Sequence, residues 1–527
     1  GSEMCIRDSS KPSSDEQRAG LQNAKRGFSD YLSQYGGSSY VDQALFYLGE
    51  IEYTLGDPRR AISYYKKLLD ARSLAKSKLI PDARYALAVA LEEDKQVGQA
   101  TRQYQTFLRE HSQHELVSEV RVRLADLLLA ASKPSEAEEL LRDLSRDTQE
   151  RLADYALLRL GYALEQQDKL EEAARTYETL QTTYPDSKFA TTAAISLGQS
   201  LYRAGRSEEA IAQFQRSLAG KDAQAADAAH WIALTYLRLQ QPRKAAEILE
   251  EALVWSAELP GRVALEMDYA DALYAQPDQL AKAQAAYESI AKSHPDDSLA
   301  PRAVYNAAFA ALQQGKFAEA RSWSESFLSQ FPQDSLRNDV AYVAAEALLQ
   351  EGEHEAASQA YRKLREADPS NQAFPMWTLR LAMANYLAGD YGSATKLLKD
   401  EMSTFTVADQ KAEAEFIIGA SLLYEEQPLA AIKQFEASHR TSQSWSSADE
   451  VLLLLAEAHQ RNKDDRSAKK TLENLLKKYP NSRLKGQVEY KLAQLSAAMN
   501  QFDEAISQYE TIVTNPDASN LHGFAQY

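Results

Sequence analysis

The sequence predicts an all-α fold, a solenoid of stacked helix–turn–helix hairpins, and three regularities carry that prediction. An alanine recurs down the chain at Ala24, Ala61, Ala100, Ala137, Ala173, Ala210, Ala245, Ala283, Ala320, Ala357, Ala394, Ala431, Ala468 and Ala505, and ten of its 13 intervals are 36 or 37 residues. A second small residue precedes it by 12 in almost every unit, as at Gly49, Ala88, Ala125, Gly161, Gly198, Ala308, Ala382 and Gly419. Four residues after the alanine stands an aromatic (Phe28, Tyr65, Tyr104, Tyr177, Phe214, Tyr287, Tyr361, Phe435, Tyr509), with Leu in four other units and Ser324 in one.

Residues 184–214, YPDSKFATTAAISLGQSLYRAGRSEEAIAQF, show how each unit is built. Pro185, Asp186 and Ser187 form a turn that opens a first helix, apolar at three- and four-residue spacing through Ile195 and Leu201. Ala204-Gly205-Arg206 breaks it, and a second helix carries Ala210, Ile211 and Phe214 on one face. Gly198 and Ala210 are expected to face one another, so that a large side chain at either would hold the two backbones apart. This pattern of small residues, aromatic and closing proline resembles a tetratricopeptide repeat. The resemblance implies a right-handed superhelix whose first helices line a concave surface.

Composition narrows the function classes. Lys and Arg number 59 against 76 Asp and Glu, a net charge of −17 that repels nucleic-acid phosphates and anionic membrane surfaces. Nucleic-acid binding is therefore not expected. No apolar run approaches the roughly 20 residues of a membrane span. The single cysteine, Cys5, lies in GSEMCIRDS, which reads as a non-native segment, so residues 1–16 are set aside as a non-native or disordered lead-in.

In order, Ala24 and Phe28 mark a second helix without a first helix before it, and 13 helical pairs follow, giving about 27 helices in one continuous solenoid over 17–515. The pair around Ala270 and Ala283 has one extra residue, at Gln276-Pro277-Asp278, which predicts a local offset. Residues 516–527 read as the start of a further, truncated repeat.

No catalytic, cofactor or metal site is expected. The eight histidines fall mostly singly, and His111 and His114, three apart, sit in an inter-repeat loop without a carboxylate set. No glycine-rich phosphate loop is present, since Gly36-Gly37 reads as a turn. Acid pairs such as Glu171-Glu172 and Glu208-Glu209 sit at helix ends and complement the N-terminal dipole. No nucleophile, base and orienting group assemble.

What remains is the surface offered to partners. In tetratricopeptide arrays, positions 2, 5, 9 and 12 of each repeat line the groove. Applied here, that rule selects 13 acids, among them Asp271, Asp339, Glu346, Glu413, Glu450 and Glu457, and ten tyrosines; Arg302 is its one certain cation. The tyrosines either pack between adjacent first helices while the acids solvate the face, or together they form a groove for segments bearing Lys or Arg. The densest candidate surface comprises Tyr274, Arg302, Tyr305, Asp339, Tyr342, Glu346 and Tyr386, with Asp339 and Glu346 expected to be solvated. Loops such as YPDSKFA, HPDDSLA and YPNSRLK resemble those of bacterial envelope tetratricopeptide proteins, the outer-membrane assembly lipoproteins and the coordinator of the Tol-Pal system. That resemblance implies a periplasmic or outer-membrane-associated scaffold that binds other proteins or peptides. The alternative is the docking or sensing region of a larger protein, such as a polysaccharide-export component or an enzyme.

Overall fold

The computed structural model describes residues 14–147, 151–514 and 525. The readings made above for residues 1–13 and for the last repeat fall outside these residues, apart from Ala525. Among the described residues there are 27 α-helices and no strand, so the all-α hairpin array holds element by element. The first helix is Asp15–Gln34, capped by the Ser14 hydroxyl, which accepts from the Gln17 N–H. The chain divides into two compact units, residues 1–265 and 266–527.

In both units, burial separates the two helices of a pair. Ile80–Glu93, a first helix, buries Ala83 and every residue from Tyr85 to Leu91. Its partner Val97–Glu110 buries only Ala100, Tyr104 and Phe107, one stripe of an amphipathic helix. Ala408–Tyr424 and Pro428–Thr441 repeat the contrast in the second unit. First helices therefore lie between neighbouring elements, and their few polar positions are the ones left to face solvent.

The recurrent alanine of the second helix is fully buried in 12 pairs, from Ala61 to Ala468. Its role differs in one respect from the sequence reading. A Cβ on Gly198 would meet the ring of Phe214 rather than Ala210. The same holds for Gly49 against Tyr65, Gly161 against Tyr177 and Gly419 against Phe435, with the nearest approach 2.8 Å at Gly419 and less at the other three. In these four pairs glycine is needed because an edge of the second-helix ring comes this close to the first-helix backbone; the pairs with Tyr104 and Tyr361 carry alanine at the same position, Ala88 and Ala345. Where that residue is Leu (Leu141, Leu249, Leu398, Leu472), the first helix carries alanine (Ala125, Ala233, Ala382, Ala456).

The turn inside each hairpin is a Schellman-type ending with one left-handed residue. Gly205 has φ +83°, its N–H reaches the Tyr202 carbonyl, and Arg206 N–H reaches Leu201 at 2.9 Å. Glycine serves in some pairs, but Lys95, Ser132, Asp168, Gln240, Glu426, Lys463 and Asn500 hold the same geometry at φ near +60°. The pair with the extra residue uses the 3-10 turn Pro277–Gln279 instead.

Between pairs, the serine of the YPDS-type loop reaches back one repeat. Ser187 donates to Asp154 at 2.6 Å, Ser77 to Asp42 and Ser482 to Asp449 at 2.5 Å. The same hydroxyl accepts a backbone N–H two residues on, as from Phe189 to Ser187, and thus starts the next helix. The loop serine joins two successive first helices.

Two outcomes test this packing. Gly198→Ala should cost about 1–3 kcal/mol by overpacking the ring, and adding Phe214→Leu should recover part of that cost by recreating the native Ala/Leu pairing. Hydrogen exchange across residues 190–217 reads both, and strictly additive effects would show that the ring and the glycine do not touch. Glu426→Gly should stabilise the second unit by about 1 kcal/mol, because glycine occupies the left-handed region without the strain of a side chain; urea denaturation measures it.

Candidate functional site

The seven expected groove residues all lie in the second unit, on the first helices Arg262–Tyr274, Ala300–Gln313, Arg337–Glu351 and Phe374–Leu387. Their side chains enter three sets of contacts. In the first, Arg302 is not a free cation, since its guanidinium donates to Asp271. Asp271 also accepts the Tyr287 hydroxyl at 2.6 Å, and burial raises its pKa against the pull of Tyr287 and Arg302. Tyr274 packs against Tyr287 with ring centroids 6.5 Å apart. Tyr305 stacks on Phe309, half-buried, and its phenol is shifted up by burial and then by the charge of Asp339. Asp339 itself is exposed and has no ion pair among the described residues.

The second set corrects the expectation for Glu346. Its side chain is only 13% exposed, accepts the Tyr361 hydroxyl at 2.6 Å and lies 3.6 Å from Arg380. Tyr342 packs on Tyr361 at 6.0 Å, and the buried Tyr361 phenol is pushed far up by burial and by Glu346. Glu346 is thus a fixed part of the wall and not a solvated carboxylate. Tyr386 enters the third set, with Tyr391 and Tyr424; the last two stack at 5.1 Å and 10°.

The same construction runs through both units. A buried tyrosine of the second helix donates through the hairpin to an acid of the first: Tyr65 to Glu50, Tyr104 to Glu92 and Tyr177 to Glu165, like Tyr287 and Tyr361. Where the aromatic is Phe214 or Phe435, the corresponding first-helix positions (Gln199 and Tyr202, Ala420 and Leu423) carry no acid. A phenol donating to a carboxylate gives a charge-assisted bond, which offsets part of the desolvation of both groups.

Cations missed by the groove rule neutralise several of these acids. Arg123, Arg159, Arg380 and Lys491 each stand two residues before the small residue of a first helix and reach an acid of the preceding repeat. Arg159 lies 2.6 Å from Asp126, Arg123 3.8 Å from Glu92, and Lys491 3.7 Å from Glu457. The visible signal was a basic residue some 31 to 34 positions after an acid.

Farther along the second unit, Phe374–Leu387, Ala408–Tyr424, Ala448–Arg461 and the loop residues 445–447 enclose a cavity of about 550 Å³. Its apolar part comes from Met383, Phe416, Leu423, Leu454 and Trp445, with Trp445 set edge-on to Phe416 at 5.5 Å. Tyr386 and Tyr424 form one side. Five charged residues complete the lining. Arg380 lies 3.8 Å from Glu413, whose pKa burial raises against the pull of Arg380. Arg461 holds Glu457 at 2.7 Å and donates to the Leu423 carbonyl. Glu450 has no ion pair among the described residues.

The loop histidines His111 and His114 both pack edge-on against Phe107, and His114 Nε2 lies 3.9 Å from Asp82. Among the described residues, no three His, Cys, Asp or Glu side chains gather as metal ligands, and no helix is long and apolar enough to cross a membrane.

Comparison with known proteins bears on residues 334–518, which match the model of a family described as outer membrane lipoprotein. No curated protein sequence matches the chain. Two solved structures are similar at 16% identity. The APC/C hetero-tetramer Cut9–Hcn1 is covered over 94% of its chain and 97% of this one, at a TM-score of 0.35. Yeast Tom70 is covered over 96% of its chain and 86% of this one, at 0.37. The tetratricopeptide repeat model matches residues 46–115, 122–188, 195–263 and 267–335, more than half of the sequence, in register with the hairpins described above. The chain belongs to the tetratricopeptide repeat family.

Proposed function

We propose that the protein is an interaction scaffold that holds Lys- or Arg-bearing segments of partner proteins on the first-helix surface of its second unit, and that it works in the bacterial cell envelope. The observation that carries the binding reading is Asp339. It is exposed and without a counter-ion, on a surface where Asp271 and Glu346 are already occupied by Arg302 and Arg380. Its neighbours Tyr305 and Tyr342 add aromatic faces for a cation, and Arg302 and Arg380, which would repel it, are already paired with Asp271 and Glu346. Tyr274 and Tyr386 extend the aromatic surface on either side. The match of residues 334–518 to an outer membrane lipoprotein family supports the envelope reading.

A single exposed ion pair is worth only about 0–1 kcal/mol, so affinity has to come from several contacts, of which charge supplies the selectivity. Titration of lysine-containing peptides by fluorescence anisotropy tests this. Binding should weaken steeply between 0.1 M and 1 M salt, where the Debye length falls from about 10 to about 3 Å. Asp339→Lys should weaken it severalfold with little change in melting. Glu346→Lys should instead lower the melting temperature, because it breaks the contacts to Tyr361 and Arg380. Unchanged affinity in Asp339→Lys would refute the reading.

A further inference from the structure

The partly open cavity between residues 380 and 461 joins an apolar patch to one carboxylate without a counter-ion. Its volume of about 550 Å³ falls inside the range of roughly 300–1,000 Å³ that ligand pockets occupy. Four carboxylates and three cations meet in and around it. Glu346 and Glu413 share Arg380, and Glu457 is held by Arg461 and Lys491. Glu450 is the one left over, and it stands on the same wall as Leu454 and close enough to Tyr386 for its charge to raise that phenol. An acidic ligand would have to displace Arg380 or Arg461 from its existing pairs. A purely apolar ligand would cover Glu450 without a partner, and a buried unpaired carboxylate is costly.

We propose that this cavity receives a bulky apolar or aromatic side chain of a peptide whose next residue is Lys or Arg. The apolar side chain packs among Met383, Phe416, Leu454 and Trp445, while Glu450 takes the cation at the rim, flanked by Tyr386 and Tyr424. This deepens the scaffold reading above and rests on it. It adds a requirement that Asp339 does not impose, an apolar anchor beside the positive charge. Trp445 supplies both a contact surface and a fluorescent reporter.

The test uses acetylated, amidated seven-residue peptides with a central Phe-Lys, Phe-Glu or Ala-Lys pair in an otherwise Gly/Ser/Ala sequence. Binding is followed by tryptophan fluorescence in the wild-type chain and in Trp445→Phe, and by isothermal titration calorimetry. The Phe-Lys peptide should change the Trp445 signal, and each of the other two should bind at least tenfold more weakly. Glu450→Gln, which breaks no ion pair, should bring Phe-Lys down to the level of Phe-Glu. Asp339→Asn should leave Phe-Lys binding at the cavity unchanged. If Phe-Lys bound equally well to Glu450→Gln but was lost in Asp339→Asn, the cavity assignment would fail while the groove reading stood. If none of the lysine-bearing peptides bound any form, both would fail. A Trp445 signal that tracked protein concentration without peptide would mean that a second copy fills the cavity, and would also overturn the proposal.

Discussion

The contact on which the structure depends is the side chain four residues after the recurrent alanine, a ring in most second helices and leucine in four, lying against the small residue of the first helix. At Gly198 and Gly161 the approach is so close that a methyl group would overlap the ring of Phe214 or Tyr177. One turn earlier on the second helix, the alanines from Ala61 to Ala468 leave no exposed surface at all. A repeat of this size cannot bury enough apolar surface alone, so each hairpin relies on its neighbours, and that requirement makes the first helices apolar nearly all round. Few positions are then left for polar residues.

This packing also governs the electrostatics of the exposed wall. In five pairs the ring is a tyrosine whose hydroxyl passes beside the first helix and emerges against an acid, as Tyr361 does at Glu346 and Tyr65 at Glu50. When it is phenylalanine, no acid stands there. The carboxylate is held in one rotamer by a buried donor and often by a cation from the next repeat, such as Arg380 or Arg159. Acids fixed in this way stabilise the joint between repeats more than they attract ligands, because their charge is already shared. Asp227, Asp339 and Glu450 are first-helix acids without an ion pair among the described residues, and the proposed recognition rests on the latter two.

The hairpin was legible in the sequence because it rests on local spacing. The alanine, its small partner 12 residues earlier and the aromatic four residues later lie within one repeat, and the helices appeared where that spacing put them. The left-handed turn was visible at Gly205 but hidden at Glu426 and Lys463, where the backbone imposes the conformation on a residue that does not advertise it. The wall was harder to read because its ion pairs join different repeats. A rule applied within one repeat finds Asp126 and Glu346 but passes over Arg159 and Arg380. The cavity draws on three first helices and on Trp445, a loop residue that no helical position predicts.

A wall held rigid by paired charges has a consequence for binding. Association loses free energy to the ordering of side chains, about 0.5–1.5 kcal/mol for each flexible one immobilised. Arg380, Arg461, Glu413 and Glu457 are ordered before any ligand arrives, since each already holds a partner. A segment entering the cavity would then need to order only its own side chains and Glu450. The same rigidity limits what can enter. A ligand that demanded a different charge arrangement would have to break an ion pair inside a half-buried site, which costs more than the exposed contacts around it return. The pairing that joins one repeat to the next would thus also narrow the chemistry of any segment bound at the proposed site.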